Sequence, residues 1–147
     1  MELRWTEADL NELVRDTLAD LNASMQATLV QDLRPLPRVT LDAEQMQKVL
    51  LNLLLNAHEA GEGQGEIRVA TEPRDGWISL SVCDNGCEMS PEFIEYSLFQ
   101  LFHPTKSKGL GIGLFQSKKI VEAHHGRIET ESEEGKGIMF RVLLPLM

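Results

Sequence analysis

Three short stretches of this chain carry residue types and spacings suited to holding an anionic ligand. The first, Gly109-Leu110-Gly111-Ile112-Gly113-Leu114, runs into a helical pattern. Glycines offer bare backbone for close approach, and the N–H groups at a helix start lack intrahelical acceptors, so together they meet what a phosphate cradle requires. The run also suits a flexible turn before a helix. It is not the dinucleotide fingerprint, because no strand directly precedes it, and it lacks the Gly-Lys-Ser/Thr ending of a P-loop.

The second stretch holds Asn52 and Asn56, four residues apart and flanked by leucines. On a helix they share one face, where two amides need partners. They are either satisfied polar groups at the edge of a core or, for Asn56, a carbonyl-oxygen ligand for a Mg²⁺ ion on nucleotide phosphates. The third is Asp84-Asn85-Gly86 at the end of an apolar run. A carboxylate buried there is costly unless a donor meets it, and the amino group of adenine is such a donor. The same triplet is also ordinary turn chemistry.

The elements that must position these residues can be read from periodicity. Leu10, Leu13, Val14, Thr17, Leu18 and Leu21 recur at helical spacing and predict a helix from Thr6 to about Met25, capped by Thr6 or Asp9. Leu29–Leu33 and Val39–Leu41 read as short strands around the turn-forming prolines Pro35 and Pro37. Asp42 with Gln45 forms a capping box for a second helix, whose face Met46, Val49, Leu50, Leu53, Leu54 and Ala57 carries Asn52 and Asn56 and ends near Ala60. Glu66–Glu72 and Trp77–Cys83 alternate as a hairpin across Pro73-Arg74-Asp75-Gly76, and the second strand delivers Asp84.

Ser90-Pro91 predicts a short helix over Pro91–Leu98, and the aperiodic stretch Phe99–Gly111 predicts a lid over a ligand. Gly113–His125 predicts a helix ended by Gly126, followed by strands Arg127–Glu133 and Ile138–Leu144. Hairpins join several of the strands. The expected fold is therefore α+β: a two-layer sandwich of one mixed, mostly antiparallel sheet with helices on one face.

Composition narrows the function classes. The 147 residues suit a single domain, and 42% hydrophobic residues can build its core. With 23 acidic against 14 basic residues the net charge is −9, which repels phosphate backbones, so nucleic acid is not an expected partner. No apolar run nears the ~20 residues of a membrane-spanning helix, and membrane contact by this stretch is not expected. Cys83 and Cys87 lack a second pair to complete a zinc site and suit a reducing, cytoplasmic setting.

Taken together, in this order and at these intervals, the three stretches resemble the GHKL superfamily of ATPases and kinases, over nearly the whole chain. Leu51-Asn52-Leu53-Leu54-Leu55-Asn56-Ala57 looks like the N box, Asp84-Asn85-Gly86 the G1 box, Phe99 to Phe102 the F box and Gly109 to Leu114 the G2 box. Topoisomerase-type and chaperone-type members carry a glutamate base one helical turn before the magnesium asparagine. Here that position is Asn52, and an amide cannot take a proton from water. The Asn-x-x-x-Asn form instead resembles histidine kinases, whose acceptor imidazole is already nucleophilic when neutral.

The resemblance implies a Bergerat-type ATP-binding catalytic domain of a sensor histidine kinase, with ATP and Mg²⁺ as its ligands. Asp84 would bind the adenine amino group and Gly86 would shape that end of the pocket. Asn56, with Asn52, would lie near Mg²⁺ and the phosphates, and Gly109, Gly111 and Gly113, leading to Leu114, would line the triphosphate. Lys106 and Lys108 are the candidates for neutralising β and γ charge. The implied partners are an acceptor-histidine dimerisation domain, which residues 1–25 would join to this single domain of 1–147, and a response regulator. Without acceptor helices the chain is expected to be a monomer that does not phosphorylate itself.

Some positions depart from the family pattern. Glu88 stands where the second G1 glycine belongs, Ile138 where threonine is usual, and Glu59 where some kinases place a phosphate-binding lysine; Leu101 and Pro104 depart from the usual lid residues. A side chain with negative charge at position 88 would oppose an anionic ligand. Two alternatives stay open on this basis: a degenerate nucleotide-binding domain acting as an interaction module, and a serine kinase of the anti-sigma kind.

Overall fold

A computed structural model describes residues 2–22, 28–60, 66–84, 110–133 and 137–146. Its elements are β1 (Thr6–Ala8), α1 (Leu10–Asn22), β2 (Thr28–Leu33), β3 (Val39–Leu41), α2 (Ala43–Ala60), β4 (Glu66–Arg74), β5 (Trp77–Asp84), α3 (Leu110–Ala123), β6 (Arg127–Glu133) and β7 (Gly137–Pro145). The expected short helix over Pro91–Leu98, the lid, and Cys87 and Glu88 lie outside the described residues.

Five strands form one sheet in the order β2-β4-β5-β7-β6, and β1 pairs with β3 in a separate ribbon. Only β2 with β4 is parallel; the other neighbours in the sheet are antiparallel. Strand alternation then sorts the side chains. Ile67 and Val69 of β4, Ile78, Leu80 and Val82 of β5, and Phe140, Val142 and Leu144 of β7 are buried in a single core. The helices meet that face: α2 packs on β4 and β5, α3 on β6, and α1 and α3 both pack on α2. This is the expected two-layer arrangement.

The apolar stripe read for α2 is fully buried, with Met46, Val49, Leu50, Leu53, Leu54 and Ala57 all at 0% exposure. Its partner stripes are Leu10, Val14 and Leu18 on α1 and Leu114, Ile120 and Val121 on α3. A polar tie anchors α1 to the sheet edge. The buried Asn11 donates from Nδ2 to the Arg34 carbonyl at 2.7 Å and accepts from Thr71 Oγ1 at 2.6 Å.

Three local expectations are corrected. Helix α1 starts at Leu10, because Asp9 is the cap, receiving the Glu12 N–H at 3.2 Å; Thr6 belongs to the ribbon with β3. The Asp42 cap is half a box. Asp42 Oδ1 accepts the Gln45 N–H at 3.1 Å, but the Asp42 N–H goes to His124 Nε2 at 3.0 Å instead of to the Gln45 side chain.

The third correction is at the end of α3. His125, not Gly126, takes the left-handed conformation, with φ of 64°. Its N–H bonds the Glu122 carbonyl and the Gly126 N–H bonds the Val121 carbonyl, both at 2.9 Å, which is the Schellman pattern with histidine at the left-handed position. Gly126 is needed for a different reason. A Cβ there would run into the Leu143 carbonyl oxygen of β7, so only glycine lets the chain turn into β6 against its neighbour.

Candidate functional site

Connectivity decides which residues share an end of the sandwich. Helix α2 ends at Ala60 and β4 begins at Glu66, while Ile67 of β4 pairs with Asp84, so the C-terminal end of α2 and the end of β5 lie at the same end. Helix α3 runs the other way. Its last turn feeds β6 at Arg127, which pairs with Leu143, and Leu143 pairs with Ser79 near the start of β5. The start of α3 is therefore at the Asp84 end. Two side-chain contacts fix the antiparallel register of α2 and α3: Asp42 with His124 at one end, and Asn52 with Ser117 farther along.

At this end β5 delivers Asp84 as its last residue, on the helix-facing side with Leu80 and Val82, and it is buried at 0% exposure. Directly across the ladder is Ile138 of β7. Asn56 sits one turn from the end of α2 and is 5% exposed, and its Nδ2 meets no hydrogen-bond acceptor among the described residues. A buried amide in that state costs about 1–3 kcal/mol unless something answers it. Asn52, half-buried one turn earlier, donates from Nδ2 to the Ser117 hydroxyl of α3 at 3.2 Å.

Helix α3 begins at Leu110, three residues earlier than expected, so Gly111 lies in its first turn and not in a loop before it, and Gly113 completes that turn. The Gly111 N–H remains among those that an α-helix leaves without intrahelical acceptors. Leu114 turns inward and is fully buried, which anchors that turn to the core. Gly86, Lys106, Lys108 and Gly109 lie outside the described residues.

Cys83, beside Asp84, has its thiol pushed up from the ordinary value by burial first and by the neighbouring Asp84 second, which keeps it protonated. No cluster of three histidine, cysteine, aspartate or glutamate residues able to hold a metal ion occurs among the described residues. No helix of the described residues is long and apolar enough to cross a membrane.

The model of the family described as histidine kinase-, DNA gyrase B- and HSP90-like ATPase matches residues 41–147. The chain belongs to this ATPase family. Its curated relatives include sensor histidine kinases: it is 35% identical over 148 residues to the signal transduction histidine-protein kinase AtoS of Escherichia coli K12, covering 97% of this chain and 24% of AtoS. It is 38% identical over 149 residues to the sensor histidine kinase ZraS of Klebsiella oxytoca, covering 98% of this chain and 32% of ZraS. The chain thus spans about a quarter to a third of the length of these curated relatives.

Among solved structures, the catalytic domain of histidine kinase ThkA superposes with a TM-score of 0.87 at 32% identity, covering 98% of this chain and 97% of that one. ThkA has also been solved with the response regulator protein TrrA, and that ThkA chain is 30% identical with a TM-score of 0.82, covering 97% of this chain and 42% of that one. The fold expected from the boxes is the fold of this histidine-kinase catalytic domain. As a domain of this ATPase family, the chain is built to bind ATP.

Two residues of structural weight were not singled out from the sequence for the roles they take. Ser117 is fully buried between Leu114 and Val121 on the core stripe of α3. A serine at such a position is itself a signal, since a buried hydroxyl must find a partner. His124, in the turn that ends α3, is buried at 3% exposure and bonded on both ring nitrogens, Nε2 to the Asp42 N–H and Nδ1 to the Ile120 carbonyl at 2.8 Å.

Proposed function

We propose that this domain binds ATP with Mg²⁺ and supplies the γ-phosphoryl group to a histidine on a separate dimerisation domain. The observation that carries the reading is the convergence, at one end of the sandwich, of the buried Asp84 carboxylate, the buried Asn56 amide and the glycine-bearing first turn of α3. A carboxylate at the end of an apolar strand suits the exocyclic amino group of adenine, and free helix-start N–H groups suit phosphate oxygens.

Asn56 fits the magnesium end. Its carbonyl oxygen is a hard donor of the kind that Mg²⁺ accepts, and its buried amide nitrogen gains from a ligand that brings oxygen acceptors close. Bound Mg²⁺ would supply charge neutralisation across the β and γ phosphates. Asn52 stands one turn away with an amide in place of a carboxylate base, which favours transfer to an imidazole over hydrolysis. Gly86 and Gly109 complete the pocket in this reading, Gly111, Gly113 and Leu114 hold its phosphate wall, and Lys106 and Lys108 offset phosphate charge.

The partners follow from the same reading. The acceptor-histidine domain joins through residues 1–25, the remainder of 1–147 is one catalytic domain, and a response regulator receives the phosphoryl group afterwards. The isolated domain works in the cytoplasm as a monomer and does not label itself. Calorimetric titration with ATP and ADP, with and without Mg²⁺, tests the core of this. Micromolar binding that falls at least tenfold in Asp84→Asn and loses its Mg²⁺ dependence in Asn56→Ala is expected. Absence of binding in both the parent and Glu88→Gly would overturn it.

A further inference from the structure

Ser117 is buried completely, on α3 one turn beyond Gly113, and its hydroxyl lies 3.2 Å from Asn52 Nδ2 on α2. The contact joins the two helices whose ends form the candidate site. It lies one turn of α2 away from the buried Asn56 and one turn of α3 away from the glycine-bearing start. A primary amide can present either its NH₂ or its oxygen to a neighbour, and on a half-exposed helix face it samples several rotamers. A buried hydroxyl on the neighbouring helix restricts both choices.

We propose that Ser117 is a positioning residue: by receiving the Nδ2–H of Asn52 it holds that amide in one rotamer and one orientation, so that Oδ1 is the end presented to the magnesium–phosphate side of the pocket. The proposal rests on the nucleotide reading of Asn52 and Asn56. The hydroxyl is suited to the task because it can still donate its own hydrogen elsewhere while accepting from the amide. Because Ser117 rides on the same helix as Gly111 and Gly113, the same bond sets the distance between the N-box amides and the phosphate wall. Losing it would loosen the magnesium end and leave the adenine end, at Asp84, as it was.

The test uses two readouts on the purified chain, comparing the parent with Ser117→Ala, Ser117→Thr, Asn52→Ala and the double variant. The first needs no nucleotide: the Asn52 side-chain NH₂ signals in a ¹⁵N correlation spectrum. In the parent these are expected to exchange slowly with water, and in Ser117→Ala at least about threefold faster, in line with the loss of one hydrogen bond. Ser117→Thr, which keeps the β-hydroxyl, should restore slow exchange.

The second readout is the factor by which Mg²⁺ tightens ATP binding. It should fall about three- to tenfold in Ser117→Ala with affinity in the absence of Mg²⁺ unchanged, the range that one hydrogen bond supports. It should fall no further in the double variant than in Asn52→Ala, because the two groups act as one unit. Parent-like exchange and an unchanged Mg²⁺ factor in Ser117→Ala would overturn the positioning role and leave the nucleotide reading standing. A parent that binds no nucleotide would instead remove that reading, and with it the magnesium-side role of Ser117, even if the exchange rates behave as expected.

Discussion

Replacing His124 by Phe should destabilise the fold by about 1–3 kcal/mol, and the structure says which atom is responsible. His124 is buried at 3% exposure, and its Nε2 is the acceptor for the Asp42 N–H, the group at the start of α2 that a complete capping box would have served with Gln45. Phenylalanine keeps the ring that Trp5 meets edge-on at 5.1 Å, so packing changes little. The Ile120 carbonyl also keeps the His124 backbone N–H at 3.2 Å, so it is not stranded. What remains is one buried N–H with no acceptor, a loss of about 1–3 kcal/mol. For a chain of this size that lowers the melting temperature by roughly 3–10 °C. Urea unfolding at unchanged m-value is the cleaner assay. A midpoint within about 0.5 kcal/mol of the parent would refute the argument, since it would mean that the N–H finds water or another acceptor at no cost.

Other consequences follow from the same framework. Asp42 is held below the ordinary carboxylate value of 3.8 by the Arg4 N–H first and then by the Gln45 N–H, with burial pulling the other way. Its folded value is depressed, so its stabilisation is present above 3.8 and is lost as pH falls through the lower folded value. The stability gap between the parent and Asp42→Asn, followed by urea unfolding from pH 6 downward, should therefore narrow only on acidification below about 4. Asn11→Ala should cost about 1–3 kcal/mol by stranding the Thr71 hydroxyl, and adding Thr71→Val should recover part of that, because removing both partners is nearly neutral. Gly126→Ala should lose about 1–3 kcal/mol through overpacking against the Leu143 carbonyl, with helical circular dichroism retained.

The α2 stripe was legible in full because six apolar residues at helical spacing have one consistent burial solution, and all six are at 0% exposure. The β4–β5 hairpin was legible for the corresponding reason in strands: Asp75-Gly76 supplies the turn, with φ of 73° at Gly76, and alternation fixes which side Asp84 faces. The start of α1 was not, because Thr6 and Asp9 are both good caps and the choice is made by pairing of Thr6–Ala8 with β3, a contact more than thirty residues away in sequence. His124 hid for a similar reason. Its partner at Asp42 is 82 residues distant, and a histidine at the C-terminal end of a helix has an adequate local explanation in the helix dipole that happens to be incomplete. Of the candidate site, Asn52, Asn56, Asp84 and Leu114 fall on the elements expected of them, while Ser117 was overlooked because a lone serine in a helix carries no motif.

The two ends of the antiparallel pair α2 and α3 treat their polar groups differently, and that difference bears on function. At the Asp42 end the groups answer one another: the Asp42 carboxylate takes the Arg4 N–H at 2.8 Å and the Gln45 N–H, the Asp42 N–H goes to His124, and His124 bonds the Ile120 carbonyl. At the Asp84 end, within one helix length, Asn56 is equally buried yet its amide nitrogen meets no acceptor among the described residues. Ser79 Oγ, at the Asp42 end, is also buried without a partner among the described residues, so an unmet polar atom alone does not mark a site; Asn56 is set apart by its place at the end shared with Asp84 and the start of α3. In the nucleotide reading proposed above, the acceptor belongs to a ligand. It follows that substitutions at the Asp42 end should move unfolding midpoints with nucleotide affinity unchanged, whereas Asn56→Leu should bind ATP more weakly while unfolding at the same or a higher urea concentration, since an apolar side chain there no longer buries an unmet amide. A loss of stability in Asn56→Leu without a change in affinity would show that the amide belongs to the core.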